Sequence, residues 1–446
     1  MKHLTRTSFL LTVVLAAVVH CSAWAETLSV PADYPTIQSA IDASYNGDIV
    51  EVGPGLYAEG LNFGGRAITV RSTAGAATTI VDPVTGRCLT ANGQKGAAAR
   101  LEGFTLRGGS ASQGGGVYIE ASSPTIVSCV ITGNSASDQN SGGGVYVASG
   151  SPKLIGCTVS LNTGSYNGGG VCLASGTLTL ENCAVNGNVL TYPYGYGGGL
   201  FVSSGSVTIT NGEIRNNTVG YGGGGIYGGT LTISGCAIEE NSVTNGGGGG
   251  ISNAAVTITG GSVSNNDCTG SGGGINSVTG QVSNCTIAGN TANGNGGGVW
   301  SGGSLTLSSC TLELNDSNAY GGAWYKSGGT ASLQNSQVRN NSATTVGGIW
   351  VQSGGLGVLG TVFCGNGVNI NGTWTNLGGN GLNGQCAPGC PGDADGDGNV
   401  NAEDIVELLN DWGFCADPDC YSDFNGDGVV DAIDLTSVLS NWGGCN

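Results

Sequence analysis

Histidine and positive charge are what this 446-residue sequence most lacks. It has 2 His, and 12 Lys and Arg against 30 Asp and Glu. Both histidines, His3 and His20, lie in a stretch patterned like an export leader. Lys2 and Arg6 precede an apolar run from Phe9 to Val19, and Ala23 and Ala25 flank Trp24 as an A-x-A site. A secretory signal peptide over residues 1–25, cut after Ala25, is predicted. Cys21 would suit a lipid anchor, but it follows His20 where a small residue is usual. Once the leader is removed no imidazole remains, which excludes a His base, a Ser-His-Asp triad and a His-ligated zinc. Charged residues are 9% of the chain and Pro only 10 against 87 Gly, with no Gly-X-Y triplet. Coiled coil, solvated disorder and collagen are therefore excluded, and ordered β structure with many turns is left. No later run approaches ~20 apolar residues, so no membrane span is expected. The net charge of −18 repels nucleic acid and anionic membranes and favours cations as small partners. An exported chain can form disulfides, but 16 Cys less Cys21 leaves an odd number.

What is present is a repeat. Glycine clusters align at Gly114, Gly142, Gly168, Gly197, Gly223, Gly248, Gly272, Gly296, Gly321 and Gly347. In the copy that starts at Gly168, Val171 and Leu173, then Leu178 and Leu180, then Cys183 and Val185 alternate with polar residues over stretches too short for helices. One unit cannot bury its apolar face alone, so units must stack, and a coil of three strands per turn does this: a parallel β-helix. Five residues after the Cys position stand Asn134, Asn162, Asn188, Asn217, Asn241, Asn266, Asn290, Asn315, Asn341 and Asn366. At a bend in each turn, such a column bonds amide to amide and tolerates a left-handed backbone.

Three further columns follow the same period. Cys129, Cys157, Cys183, Cys236, Cys285 and Cys310 share an inward position, read as buried thiols because parallel side chains at ~4.8 Å spacing make poor tetrahedral metal ligands. Arg215 with Glu239, and Glu313 with Arg339, are expected to pair across turns, leaving Lys153 and Lys326 scattered. Two residues after the glycine cluster come Tyr118, Tyr146, Phe201, Tyr227, Trp300, Tyr325 and Trp350, interrupted by Cys172, Ser252 and Asn276. Alternation sends this column outward, either as a surface ladder of stacked rings or as a platform for sugar rings.

The segment Ala32 to Ser72 resembles the opening of secreted right-handed parallel β-helix proteins of the pectin-lyase-like fold. Within it Ile37, Ala40, Ile41 and Tyr45 form one face of a short helix able to cover the first open rung. The resemblance spans about residues 27–385 and implies the fold and an affinity for polysaccharide. It carries over no catalytic site: Asp138, Asp267 and Asp316 read as lying at different offsets on distant turns.

After Cys386 the composition changes to 13 acids and no bases in the last 60 residues. Two twelve-residue loops run from Asp393 to Asp404 and from Asp423 to Asp434. Oxygens at loop positions 1, 3, 5 and 12, with Gly at 6, suit a hard cation taking six to eight oxygens. Two Ca²⁺ ions are expected: one on Asp393, Asp395, Asp397, the Asn399 carbonyl and Asp404, the other on Asp423, Asn425, Asp427, the Val429 carbonyl and Asp434. Helices with the apolar residues Ile405, Leu408, Leu409 and Trp412, then Leu435, Val438, Leu439 and Trp442, should follow at identical offsets. Cys390, Cys415, Cys420 and Cys445 repeat likewise. Three pairings fit the duplication; Cys390 with Cys445 and Cys415 with Cys420 would clasp the ends, leaving Cys364 for Cys386. Two loop-helix units resemble a type I dockerin, which implies a cohesin-like partner. At loop positions 10 and 11 this chain has Ala402 and Glu403, then Ala432 and Ile433, in place of the familiar small hydroxyl pair.

The expected layout is a signal peptide over 1–25, a cap and first turns over 26–113, glycine-rich β-helix over 114–385 and a dockerin-like calcium domain over 386–446. Two functions stay open. One is a secreted or cell-surface protein that binds or presents itself to extracellular polysaccharide and docks to a protein partner. The other is a polysaccharide lyase or glycoside hydrolase on the same scaffold.

Overall fold

The computed structural model describes residues 25–93, 99–139, 141–384, 392, 394, 399–414, 422–424 and 429–444. Residues 1–24 of the expected leader over 1–25, the ligand candidates Asp393, Asp395, Asp397, Asn425 and Asp427, and Cys386, Cys390, Cys415, Cys420 and Cys445 lie outside them. Among the described residues no helix is long and apolar enough to cross a membrane.

The glycine-rich body is a parallel β-helix with three sheets of 27, 10 and 13 strands. Successive turns are in register: Val171 pairs with Leu200, Leu180 with Ile209 and Val189 with Thr218. The expected stretches are separate strands in most turns, Thr230–Ser234 and Ala237–Glu239 for instance, but these two share one sheet, and in some turns they fuse. Leu178 to Val185 lies within one strand, Thr177–Asn186, and the third sheet is the short run Val189–Leu190 after the ladder asparagine. Backbone conformation explains the difference. The residue before the Cys position turns left-handed, as at Ser128, Asn182 and Ser309, so the chain bends there without leaving its sheet.

Inward residues of all turns merge into one core, with Leu101, Ile131, Leu180, Ile238, Leu307 and Val338 all fully or almost fully buried. The asparagine column runs along one corner, each member at most 4% exposed. Asn188 Nδ2 donates to Asn217 Oδ1 at 3.0 Å, and Asn188 Oδ1 accepts from Asn162 Nδ2 at 3.0 Å. Each such oxygen also accepts a backbone N–H from the turn before, as Asn217 Oδ1 does from Asn188 N at 3.0 Å. The polar column is thus satisfied by its own repetition. Left-handed backbone does not fall on these asparagines, contrary to expectation. It falls on the residue before each, such as Leu161, Asn216, Glu240 and Leu314.

Crowding explains the glycine clusters. Gly197 has φ +69°, and a Cβ on Gly198 would lie 2.6 Å from the Gly224 carbonyl of the next turn. Helix α1, Ile37–Ala43, begins at a Thr36–Ser39 capping box and buries Ile37, Ala40 and Ile41 over the first rung. Tyr45 does not join that face. The helix ends at Ala43 and Tyr45 is 77% exposed.

In the C-terminal module, α2 (Ala402–Asn410) and α3 (Ala432–Ser440) each start at a capping box, Asn401 with Asp404 and Asp431 with Asp434. Asn399–Val400 pairs antiparallel with Gly443–Gly444, and Gly413–Phe414 with Val429–Val430. Each repeat thereby pairs a strand with the other. Val400, Leu408, Val430 and Val438 form the small core, with Ile405, Phe424 and Leu435 against it. The expected apolar faces split. Leu409, Trp412, Leu439 and Trp442 are about half exposed because the core is only one residue deep per helix turn.

Candidate functional site

Stacked turns place the aromatic column on the 13-strand sheet, in the order Tyr118, Tyr146, Cys172, Phe201, Tyr227, Ser252, Asn276, Trp300, Tyr325, Trp350. Rungs ~4.8 Å apart bring rings to stacking distance. Tyr118 and Tyr146 stack at 5.7 Å and 19°, and Phe201 and Tyr227 at 5.8 Å and 8°. Arg87 also lies over the Tyr118 ring, 4.4 Å from its centroid. Because rings cover one another, the column is less open than alternation suggests. Tyr146 and Tyr325 are buried, and Tyr118, Phe201, Tyr227, Trp300 and Trp350 are half-buried. The Tyr325 hydroxyl meets Gln352, and Trp350 packs on Tyr320 at 4.6 Å.

Five tyrosines that counting offsets did not align join this face. Tyr166 packs on Tyr192 at 4.7 Å, Tyr192 on Tyr194 at 5.9 Å, and Tyr194 on Tyr221 at 6.3 Å. Tyr196 packs on Tyr227 at 4.6 Å and edge-on to Tyr221 at 5.4 Å. Three of them sit in Tyr192-Pro-Tyr-Gly-Tyr196, which lengthens the copy before Gly197. That run of alternate tyrosines was the available signal.

The cysteine column is buried and its thiols donate to carbonyls, Cys157 to Ile126 at 3.3 Å and Cys310 to Val282 at 3.4 Å. Burial pushes the thiols of Cys129, Cys236 and Cys285 up to about 12, which holds them protonated. Cys364 is disulfide-bonded, whereas the nine other described cysteines are free.

Two charge assignments change. Arg339 Nε meets Glu313 at 2.7 Å across turns, but Arg215 contacts Glu213 at 3.6 Å and Glu240 at 3.3 Å. Glu239, opposite Arg215 in register, instead accepts the hydroxyls of Ser262 and Ser264. Lys326 is not a scattered surface base; it is fully buried, its ammonium donating to the carbonyls of Gly328, Gly329 and Ser353 at 2.6, 2.8 and 3.3 Å. It shares the inward phase of Trp324, and three acceptors at the end of the turn fill its three donors. Desolvation lowers its pKa.

The acids are also placed differently. Asp267 and Asp316 occupy one column of the 10-strand sheet with Thr291 between them. They stand two rungs apart, about 10 Å at the usual strand spacing. Asp267 accepts from Ser242 at 2.9 Å and Asp316 from Ser342 at 2.5 Å.

In the C-terminal module, the position-12 carboxylates Asp404 and Asp434 are fully buried. Asp404 accepts the backbone N–H groups of Ala394 at 2.6 Å and Asn401 at 2.7 Å, and Asp434 accepts that of Asp431 at 2.9 Å. Burying an oxygen donor at the same place in both repeats fits a hard cation, because an ionised carboxylate is costly to bury alone. Asp423 and the backbone of Val429 and Asn399 stand at the margins of the same loops. Ala402, Glu403, Ala432 and Ile433 are exposed.

Residues 88–261 match the family described as the right handed beta helix region, and residues 391–441 match the dockerin type I domain. No curated protein matches the chain. The chain therefore joins a right-handed parallel β-helix to a dockerin type I domain.

Proposed function

We propose that this dockerin-bearing β-helix protein is exported, docks to a cohesin through its calcium-loaded C-terminal domain, and holds extracellular polysaccharide on the aromatic face of the helix. The observation that carries the docking part is duplication in three dimensions: equivalent buried carboxylates, capping boxes and cross-paired strands in both repeats. Calcium supplies the positive charge that lets these acid-rich loops close. Asp393, Asp395, Asp397, Asp404 and the Asn399 carbonyl would hold one ion, and Asp423, Asn425, Asp427, Asp434 and the Val429 carbonyl the second. Asp404 and Asp434 also cap the helices that present the half-exposed Leu409 and Trp412, and Leu439 and Trp442, as two similar apolar surfaces. Disulfides Cys390–Cys445 and Cys415–Cys420 would clasp the ends, with Cys386 as the partner of Cys364. The leader over 1–25 would deliver the chain to the oxidising exterior these bonds require.

Titration of the full chain against a panel of cohesins, with calcium and then with EGTA, tests the docking reading. Binding in calcium that weakens at least a hundredfold on chelation is expected; equal binding in both buffers, or none to any cohesin, contradicts it.

A second reading, glycan cleavage, is favoured by the Asp267–Asp316 column. The two-rung separation of these strands, about 10 Å, is slightly wider than the roughly 6.5–9.5 Å between carboxyl groups of inverting glycoside hydrolases. Release of reducing ends from neutral or uronate polymers, lost in Asp267→Asn and Asp316→Asn, would establish it. Absence of release from every polymer would end it.

A further inference from the structure

Two neighbouring columns of the β-helix lose their rings one turn apart, so that both are vacant in the turn of Ser252 and Gly247. Phe201 and Tyr227 are followed by Ser252 and Asn276 before rings resume at Trp300. Beside them, Tyr196 is followed by Gly222 and Gly247. Two vacant rungs in adjacent columns leave a recess of about 330 Å³, within the roughly 300–1,000 Å³ of small-molecule sites. The recess is therefore a consequence of which residues interrupt the repeat.

Its wall is aromatic and braced. Phe201 covers one face of Tyr227 at 8°, so the opposite face turns to the rung where Ser252 carries no ring. Tyr196 supports Tyr227 from the side at 4.6 Å, and Tyr221 stands edge-on against Tyr196. Its floor is bare for two different reasons. A Cβ on Gly247 would lie 2.3 Å from the Ser271 carbonyl, so that position excludes a side chain. A Cβ on Gly222 would make only ordinary contact, 3.4 Å from the Tyr227 ring, so nothing local demands this glycine and its effect is to keep the recess open.

The rim is polar and uncharged. Asn253 Nδ2 donates to the Tyr227 hydroxyl at 3.2 Å, and Asn276 Nδ2 donates to the Ser271 carbonyl. Both amides keep a carbonyl oxygen for a ligand. Among the described residues no acid or base lines the recess. Burial raises the pKa of Tyr196 and Tyr227, which keeps both phenols neutral. A ring face on the wall and amides and hydroxyls around it match a pyranose, which presents C–H groups on its faces and hydroxyls at its edge. An anionic sugar would enter a protein of net charge −18 with no base to meet it.

We infer that this recess is a subsite for one neutral pyranose unit of a polysaccharide, stacked on Tyr227 and Tyr221 and hydrogen-bonded by Ser252, Asn253 and Asn276. The inference rests on the glycan-binding reading above and narrows it to one place and one charge class.

Calorimetric titration of the full chain in calcium with cellohexaose, xylohexaose, mannohexaose and an oligogalacturonate tests it. At least one neutral probe should bind, and the oligogalacturonate at least tenfold more weakly. Ser252→Tyr continues the Phe201–Tyr227 stack into the recess, so it should weaken binding tenfold or more with the melting temperature unchanged or raised. Tyr221→Ala, at a side chain already 45% exposed, should weaken binding fivefold or more and leave the fold intact. Wild-type affinity in both variants would overturn the subsite while sparing glycan binding elsewhere on the face. Preference for the oligogalacturonate would overturn its charge class, and failure of every probe to bind would end both the subsite and the broader glycan reading.

Discussion

The two halves of this chain solve one problem, burying polar groups, by opposite means. In the β-helix each ladder asparagine finds donors and acceptors on its own kind one turn away, as Asn188 does between Asn162 and Asn217. In the C-terminal module the repeated polar residue is an acid, and Asp404 and Asp434 are buried among thirteen acids with no base in the last sixty residues. An amide is both donor and acceptor, so a column of amides closes on itself. Carboxylates only accept, so acid-rich loops close around something from outside. The first half is a scaffold complete in itself; the second, on the function proposed above, is a device whose order depends on a cation.

Substitutions should separate the halves. Replacing both buried carboxylates, Asp404→Ala with Asp434→Ala, is expected to abolish folding of the C-terminal domain at millimolar calcium while the β-helix melting transition stays in place; calorimetry of the full chain reads both transitions. A single shared transition lost in this variant would show that the halves are not independent. Asn241→Leu acts on the other half. It leaves the Asn217 backbone N–H and the Ile214 carbonyl without their ladder partner, at about 1–3 kcal/mol for each orphaned group. The β-helix should lose roughly 3 kcal/mol or more in denaturant titration, with calcium affinity unchanged.

Alkaline pH offers a graded test of the same contrast. Cys129, Cys236 and Cys285 have folded pKa values of about 12 against an ordinary value near 9. Above pH 9 the unfolded chain releases these protons and the folded one retains them. Stability of the β-helix should therefore be full below pH 9 and fall as pH rises toward 12, by about 1.4 kcal/mol per pH unit for each thiol. Denaturant midpoints at stepped pH measure this, and a flat profile would contradict the burial. Smallest is the Glu313–Arg339 pair, for which a double-mutant cycle should give about 0.5 kcal/mol, diminished by salt.

Legibility in the sequence followed repetition. The asparagine ladder, the cysteine column and the duplicated loops recur at constant offsets, and stacking turns offsets into contacts. Where copies differ, counting failed. Tyr192 and Tyr194 sit in a stretch that lengthens one copy, and Tyr196 shares its column with Asn167, Gly222 and Gly247, so no run of rings marked it, although it stands beside Tyr227 in the wall. Lys326 follows the inward phase of Trp324, but its charge argued for the surface until the carbonyls of Gly328, Gly329 and Ser353 supplied partners. Register sets Arg215 opposite Glu239 but does not tell that the hydroxyls of Ser262 and Ser264 occupy that carboxylate first. Asp267 and Asp316 both follow a ladder asparagine by one residue, a shared offset visible in the sequence and overlooked. The left-handed residues were misplaced by one for another reason. Leu161 and Leu314 adopt that conformation although nothing in their chemistry favours it.

Hydrogen–deuterium exchange of the intact protein, before and after EGTA, tests the contrast most directly. The account predicts that backbone amides of Asn162, Asn188 and Asn217 stay protected in both conditions, while those of α2 and α3 lose protection when calcium is removed. Loss of protection along the asparagine ladder on chelation, or helices that stay protected without calcium, would contradict it.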